Sequence, residues 1–229
     1  MLEELKHKVC NANVELKTRN LVLYSWGNVS GIDREKGVVA IKPSGISYDD
    51  LMPEKVVLID LDGKVIEGDM NPSSDTPTHL ELYRNYDCIG GICHTHSKYA
   101  TMWAQACKDL PCFGTTHADN FYGDIPVTAA MTKEQIETDY ELNTGKVIVE
   151  RFKDLNPAQT QAVLVANHGP FTWGVDAAKS VENAVVLEEV AQMAIGTQQI
   201  TPSQQSISQV LLDKHYLRKH GKNAYYGQK

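Results

Sequence analysis

The sequence predicts an α/β or α+β fold in which helices cover a mixed sheet. Segments with the apolar spacing of strands alternate with segments that have the spacing of helices along the whole chain. Of the 229 residues, 42% are hydrophobic and 22% are charged, which is ordinary for a soluble globular protein with a sizeable core. No internal repeat or Ser/Gly-rich linker divides the chain, so we expect one domain over residues 1–229.

The first part of the chain predicts one helix followed by strands. Residues 2–18 place apolar side chains at a helical period and predict an amphipathic helix. The apolar runs in residues 37–45 and 55–69 predict strands. The second of these segments reads as a hairpin that turns at Asp62 and Gly63, a common pair in tight turns.

The middle of the chain predicts a strand between two helices. Residues 76–86 predict a short helix that is capped at residue 75 or 76. Residues 88–96 predict a strand, and residues 97–109 predict a helix with Ser97 as its N-cap.

The last part of the chain predicts mostly helices. Residues 131–144 have a helical pattern, whereas residues 145–154 fit either a strand or a helix. Residues 161–169 predict a buried strand. The clearest helix runs from an N-cap at Asp176 to about residue 199, and a last helix is expected over residues 203–219.

Charge and cysteine content exclude several classes of protein. The formal net charge of -7 argues against a nucleic acid or an anionic membrane as the main partner. No apolar run approaches the ~20 residues of a membrane-spanning helix, and the charged N-terminal segment lacks the apolar core of a signal peptide. An odd number of cysteines without a CxxC pair predicts buried, reduced thiols in a cytoplasmic protein. The cysteines are Cys10, Cys88, Cys93, Cys107 and Cys112.

A group of histidines suggests a metal site. His94 and His96 are two residues apart, a spacing that places both imidazole groups on one face of a strand. His168 follows an apolar strand and precedes Gly-Pro, and Asp75 lies in a turn of small polar residues. Three imidazole groups and one carboxylate suit Zn²⁺, Mn²⁺ or Co²⁺.

Each of these residues also has a structural explanation. The histidine pair could be the polar face of a strand, His168 a hydrogen-bonded core residue, and Asp75 a helix cap. The chain has no HExxH motif, and the sequence after HTH does not fit an HxHxDH hydrolase site. Of the other five histidines, three are expected to be solvated, and the roles of two are left undecided. His7, His215 and His220 belong to the solvated group, and His79 and His117 are undecided.

Three loops of similar composition suggest a phosphate site. Residues 25–31, 41–45 and 71–75 each combine serine or glycine with exposed backbone N–H groups, and the second contributes Lys42. None matches a nucleotide-binding motif, so a phosphorylated small molecule is the ligand that this pattern favours. The alternative is three ordinary turns.

Seven segments in order, which span nearly the whole chain, resemble the L-ribulose-5-phosphate 4-epimerase family of the class II aldolase/adducin superfamily. The segments are WGNVSG, IKPSG, PSSDTPTH, GGICHTHS, GTTHADNFYGDIP, HGPFTWG and LLDKHYLRKHGKNAYYGQK. The resemblance implies an α/β fold with a central, largely antiparallel sheet flanked by helices. It also implies a homotetramer with active sites at subunit interfaces, to which the C-terminal tail contributes.

The resemblance further implies roles for individual residues. Asp75, His94, His96 and His168 fall on metal-ligand positions. The acid–base pair would be Asp119 and Tyr226 of a neighbouring subunit, with Asn120 departing from the aromatic residue that is frequent after this Asp. The substrate and phosphate positions are Gly27, Asn28, Lys42, Ser44, Gly45, Ser73 and Ser74.

The activity implied by the resemblance is the interconversion of L-ribulose 5-phosphate and D-xylulose 5-phosphate with a divalent metal, zinc being the first expectation. Because C4 of this sugar is not next to its carbonyl group, cleavage and re-formation of the C3–C4 bond offers a route that simple deprotonation does not. A sugar-phosphate aldolase of the same superfamily is the nearest alternative. A non-catalytic, adducin-like module is the other.

Overall fold

The computed structural model describes residues 2–226, within which eight α-helices and one short 3-10 helix, Pro53–Lys55, accompany one seven-stranded sheet. The predicted domain, residues 1–229, therefore extends at both ends beyond the described residues. The helices are α1 (Leu2–Thr18), α2 (Thr76–Asn85), α3 (Lys98–Gln105), α4 (Thr115–Ala118), α5 (Lys133–Glu137), α6 (Tyr140–Arg151), α7 (Ala177–Ile200) and α8 (Gln209–His220). The strands are β1 (Asn28–Asp33), β2 (Val38–Ile41), β3 (Val57–Asp60), β4 (Val65–Glu67), β5 (Gly91–His94), β6 (Ala162–Val165) and β7 (Gly169–Gly174).

The sheet is antiparallel, as the family resemblance implies, and not mixed, as the alternation of strands and helices alone suggested. Its order is β4-β3-β2-β1-β5-β7-β6, and every neighbouring pair of strands is antiparallel. Four of the pairs are consecutive strands in the chain, namely β1–β2, β2–β3, β3–β4 and β6–β7, and all of these except β2–β3 are joined by short connections. Alternation of element types therefore does not by itself specify parallel strands.

Both faces of the sheet are covered, which explains the continuous apolar runs of its strands. In β2, Val38 and Ala40 join the cluster that contains α1 and the start of α7. The residues between and after them, Val39 and Ile41, join the cluster that contains α2 and α6. This period of two buries every β2 side chain, because successive residues point to opposite faces and each face carries helices.

Most predicted elements are present with small shifts at their ends. The hairpin turns at Asp62 and Gly63, and Gly63 has a positive φ of 87° that favours glycine. The Asp176 side chain caps α7 by accepting a hydrogen bond of 2.8 Å from the backbone N–H of Lys179. The patterns for α1, α2 and α3 are also confirmed.

Three assigned parts of the chain differ from the prediction, and α4 and most of β7 lie in segments that the prediction left unassigned. Residues 131–154 form two helices, because the chain leaves helical geometry at Thr138, and the ambiguous segment 145–154 is helical up to Arg151. The last helix begins at residue 209, after a Pro- and Ser-containing segment. Residues 28–31, interpreted as loop, belong to β1.

The misassigned strand has an identifiable cause. The buried residues of β1 include Asn28, Ser30 and Gly31, so the strand lacks an apolar pattern. A Cβ atom at Gly31 would lie 3.0 Å from the side chain of Val9, so the small residue permits α1 to approach the sheet.

The five cysteines are free thiols, as expected, but they are not all buried. Cys10, Cys93 and Cys112 are buried, whereas Cys88 and Cys107 are exposed. Over the described residues, no helix combines the length and the apolar character that a membrane crossing requires.

The two undecided histidines are buried in the fold. The ring nitrogen Nε2 of His117 lies 2.9 Å from the carbonyl oxygen of Gly123, and burial lowers the pKa of His117 to about 4. His79 is fully buried, and burial lowers its pKa to about 3. Both side chains are therefore neutral in the folded protein at neutral pH.

We predict that the free energy of unfolding falls as the pH is lowered from about 6.5 to 4. In this range an unfolded histidine binds a proton that folded His117 does not bind, which costs about 1.4 kcal/mol per pH unit for each proton. Urea unfolding of the wild type and of His117→Gln between pH 4 and 7 measures the slope, which should be smaller in the variant. His7→Gln, which changes an exposed histidine, should keep the wild-type slope.

Candidate metal and anion site

Three histidines meet at one end of the sheet. β5 ends at His94, His96 follows two residues later, and His168 lies in the turn between β6 and β7. One ring nitrogen of each histidine lies within 4.8 Å of the corresponding atoms of the other two. The ring centroids are 4.8 to 5.0 Å apart, so the imidazole groups form a nearly regular triangle.

The triangle is close to the size that one metal ion requires. In a tetrahedral shell with metal–nitrogen bonds of about 2.1 Å, two ligand atoms are about 3.4 Å apart, so the longest separation must contract by roughly 1.4 Å. The expected proximity of His94 and His96 is confirmed, although only His94 belongs to the strand. His96 lies in the short segment that leads to α3.

The imidazole group of His94 is held in one orientation. Its Nδ1 atom donates a hydrogen bond of 2.9 Å to the carbonyl oxygen of Pro170, and its ring stacks on Phe171 with a centroid separation of 4.1 Å. Because Nδ1 carries the proton, Nε2 keeps its lone pair free, as in many metal-binding histidines. The second nitrogen of His168, Nδ1, lies 3.4 Å from the hydroxyl group of Tyr140.

Two of the three histidines, His96 and His168, are in the protonation state that binds metals. Burial lowers the pKa of His168 to about 4, and the neighbouring imidazole groups of His94 and His96 lower it further. Burial also lowers the pKa of His96, again with a contribution from His94. The lone pairs of both groups are therefore available at neutral pH.

Asp75 lies beside the histidines but outside their compact triangle. It occupies the N-cap position of α2, yet its side chain caps no backbone N–H group. Instead, Oδ2 accepts a hydrogen bond of 2.7 Å from the amide nitrogen of Asn28. Burial raises the pKa of this carboxyl group, but His94, His79 and the Asn28 hydrogen bond outweigh that effect, so the pKa is below its usual value.

The three histidines and Asp75 line a cavity of about 340 Å³. Trp26, Gly27 and Ser74 complete its wall. Gly27 has a positive φ of 75°, and a Cβ atom at this position would lie only 2.8 Å from the carbonyl oxygen of His94. Glycine is therefore required here both for the backbone conformation and for the close approach to β5.

The three serine- and glycine-containing loops converge next to this cavity. The backbone N–H of Ser44 donates to the carbonyl oxygen of Asn71 at 2.9 Å, and that of Ser73 donates to Lys42 at 3.1 Å. The ammonium group of Lys42 donates to the carbonyl oxygen of Ser25 at 3.2 Å. Each loop is thus joined to another by a hydrogen bond, although the first loop is shorter than predicted.

Lys42 is a buried cation without a carboxylate partner. Its side chain is 2% exposed, and within residues 2–226 it forms no ion pair with an acidic group. Its ammonium group faces the ring of Tyr48 at 4.9 Å, and burial lowers its pKa to about 8. Because burying an uncompensated charge is costly, this arrangement favours the binding of an anion.

Asp119 and Tyr226 are brought together, but away from the triangle. Asp119 accepts hydrogen bonds from the guanidinium group of Arg218, at 2.8 Å on one carboxylate oxygen and 2.9 Å on the other. The ring of Tyr226 lies 4.8 Å from Arg218, and its backbone N–H donates to the carbonyl oxygen of Arg218 at 3.1 Å. Among the described residues that line the cavity, neither Asp119 nor Tyr226 occurs.

Two histidines that were expected to be solvated belong to this second cluster. Nδ1 of His215 lies 3.0 Å from the carboxylate of Asp119, and Nε2 of His220 lies 2.9 Å from its backbone carbonyl oxygen. The helical pattern of α8 gave no signal for these contacts, since Asp119 is 96 residues from His215 in the sequence. The amide group of Asn120 donates instead to the carbonyl oxygen of Thr116 at 3.0 Å.

Comparison with known proteins agrees with this architecture. The family model described as the class II aldolase and adducin N-terminal domain matches residues 7–195. An L-fuculose 1-phosphate aldolase is 27% identical, with a TM-score of 0.76 over 93% of this chain and 94% of that chain.

Two further structures share the fold at lower identity. A putative aldolase/epimerase/decarboxylase from Klebsiella pneumoniae is 23% identical, with a TM-score of 0.73 over 93% of this chain and 98% of its own. An L-fuculose 1-phosphate aldolase from Glaciozyma antarctica PI12 is 18% identical, with a TM-score of 0.79 over 97% and 84% of the two chains.

We predict that Gly27→Ala weakens metal binding by about 10-fold, because the new Cβ atom displaces the backbone next to His94. Gly45→Ala is the matched control, since Gly45 also has a positive φ, of 70°, but a Cβ atom there meets no atom within 4 Å. Both variants should lose about 1–2 kcal/mol of stability from backbone strain. Titration with Zn²⁺ compares their affinities, and equal affinities would contradict the role given to Gly27.

Proposed function

Because this chain belongs to the class II aldolase and adducin family, we propose that it is a metal-dependent epimerase of L-ribulose 5-phosphate and D-xylulose 5-phosphate. The observation that carries the proposal is the position of a three-histidine cluster next to a buried, unpaired ammonium group. A metal site beside an anion site suits a phosphorylated sugar that has adjacent carbonyl and hydroxyl oxygens. We propose that the protein acts in the cytoplasm.

The metal would be held by His94, His96 and His168, with Asp75 as the fourth ligand. Their nitrogen and carboxylate donors favour a transition metal, and we propose Zn²⁺, with Mn²⁺ or Co²⁺ as alternatives. A divalent ion supplies Lewis-acid stabilisation of the negative charge that develops on the sugar oxygens. The hydrogen bond from His94 to the backbone carbonyl oxygen of Pro170 would keep the imidazole group oriented for this role.

The phosphate group would bind where the three loops converge. Lys42 supplies the positive charge, and the side chains of Ser44 and Ser74 are exposed beside the loop backbone. Ser73 would contribute its hydroxyl group, because its backbone N–H is bonded to Lys42, and Gly45 would contribute its backbone N–H in a turn with a positive φ of 70°. On the other side of the site, Gly27 and Asn28 would contact the sugar.

Anchoring the phosphate matters for the chemistry of an epimerase. When the C3–C4 bond is cleaved, the phosphate-bearing aldehyde must stay bound and turn its carbonyl group before the bond re-forms on the opposite face. A base is required to accept the proton of the C4 hydroxyl group on one side, and an acid is required on the other. We propose that Asp119 and Tyr226 of a neighbouring subunit fill these two roles.

The exposed apolar residues support an assembly of subunits. Leu23 and Tyr24, next to the cavity wall at Trp26, are 62% and 85% exposed. Val210 on α8 is 80% exposed, and Tyr225, which follows the end of this helix, is also exposed. Clusters of large exposed apolar side chains favour a protein interface. We propose a homotetramer in which the C-terminal tail of one subunit completes the cavity of its neighbour.

The alternative is a class II sugar-phosphate aldolase, which the 27% identity to an L-fuculose 1-phosphate aldolase favours. Two features of this sequence favour the epimerase. They are Asp75 and the segment HADNFYG around Asp119, both of which belong to the segments that resemble the epimerase family. A non-catalytic, adducin-like role is disfavoured because all four candidate metal ligands are retained.

We expect purified protein to convert L-ribulose 5-phosphate into D-xylulose 5-phosphate, to lose this activity with a chelator, and to regain it with Zn²⁺, Mn²⁺ or Co²⁺ added singly. Product analysis should trap little free glycolaldehyde phosphate, because the phosphate site retains this fragment. Release of that aldehyde as a main product would identify an aldolase. Metal-loaded protein that does neither reaction would contradict both proposals.

We also expect two inactive variants to restore activity when their subunits are mixed. Asp119→Asn should keep its metal but lose about two orders of magnitude in turnover, because it removes an acid–base group. His96→Asn should lose the metal. If each site combines both residues from different subunits, a randomised 1:1 mixture regains about a quarter of the wild-type sites.

The control for this experiment is a mixture of the same variants that has not been dissociated, which should remain inactive. Lack of recovery after verified subunit exchange would contradict a site that is shared between subunits.

A further inference from the structure

α3 connects two of the three histidines of the triangle. It begins at Lys98, immediately after the segment that contains His96. Near its other end, the carbonyl oxygen of Ala104 accepts a hydrogen bond of 2.9 Å from the backbone N–H of Asn167, the residue before His168. A shift of α3 would therefore move both His96 and the turn that carries His168.

The first turn of α3 is bound by a carboxylate from another helix. Oε1 of Glu188, on α7, accepts from the backbone N–H of Tyr99 at 2.9 Å, and Oε2 accepts from that of Ala100 at 2.9 Å. Ser97, the expected N-cap, makes no side-chain hydrogen bond to the helix. Glu188 thus satisfies two N–H groups that a local cap would otherwise bind, and its charge suits the positive end of the helix dipole.

Two further hydrogen bonds fix α3 against the same part of α7. The indole nitrogen of Trp103 donates to the carbonyl oxygen of Ala191 at 3.1 Å, and the amide of Gln192 donates to the hydroxyl group of Tyr99 at 3.2 Å. Trp103 and Ala191 also belong to one buried apolar cluster. α7 is therefore a rigid support for α3.

His96 depends on this support more than His94 does. The ring of His94 is buried and bound to Pro170, whereas His96 is only partly covered. Within the described residues, the His96 ring has no hydrogen bond of the kind that holds His94. Its position is consequently set by its backbone, and the backbone leads directly into the turn that Glu188 binds.

We propose that Glu188 is a positioning residue that sets the geometry of the metal centre through α3. The two hydrogen bonds of its carboxylate fix the first turn of α3, and with it the distance between His96 and His168. This role rests on the proposed metal site, but it does not depend on which reaction the protein catalyses.

The test uses Co²⁺ bound to the wild type, Glu188→Gln and Glu189→Gln. Glu189 is the matched control, because it is the next residue of α7 and its side chain is exposed. Glu188→Gln should bind Co²⁺ about 10-fold more weakly, the usual effect of removing a group that orients a ligand. It should also change the visible absorption spectrum of bound Co²⁺, which reports coordination geometry, whereas Glu189→Gln should match the wild type.

An effect of Glu188→Gln on thermal stability with unchanged Co²⁺ affinity and spectrum would overturn the proposal. If the variant does not fold, amide hydrogen exchange in the wild type decides. Co²⁺ should slow exchange at Tyr99 and Ala100, because coupling between two sites is reciprocal, and unchanged exchange overturns the proposal. Wild-type protein that binds Co²⁺ but does not epimerise the sugar would overturn only the proposed function.

Discussion

The antiparallel pairing of β1, β5 and β7 is the constraint on which the candidate site depends. His94 at the end of β5 lies opposite Asn28 of β1 on one side and Phe171 of β7 on the other. Because Asn28, His94 and Phe171 are aligned across the three strands, the Asn28 amide group lies beside Asp75 and the His94 ring stacks on the ring of Phe171. A slip of one residue in either pairing would turn His94 to the opposite face of the sheet.

Some of the polar groups near these strand positions are hydrogen-bonded to one another in the core. Ser30 links His79 and Tyr83 inside the core, with separations of 2.7 and 2.8 Å, so these groups are supported by one another. Lys42 differs, because its positive charge is buried with only carbonyl oxygens and an aromatic ring around it. The chain is acidic overall, yet at this point it offers a single cation to an anionic ligand.

The sequence predicts the components of the site better than their arrangement. The spacing of His94 and His96 and the position of His168 after a strand were enough to predict that these histidines lie together, because the ends of strands and turns have recognisable local patterns. β1 was missed because its buried residues are small or polar. Contacts such as Glu188 with α3, or His215 with Asp119, join residues that are 88 to 96 positions apart. No local pattern contains that information.

The order of the strands has a consequence for synthesis of the protein. β5 is a central strand, but its neighbour β7 is formed by residues 169–174, long after β5 in the chain. Until the ribosome has released that segment, one edge of β5 has no partner and offers free backbone groups to other nascent chains. The interval between synthesis of β5 and synthesis of β7 is therefore the stage at which this edge is open to pairing with another chain.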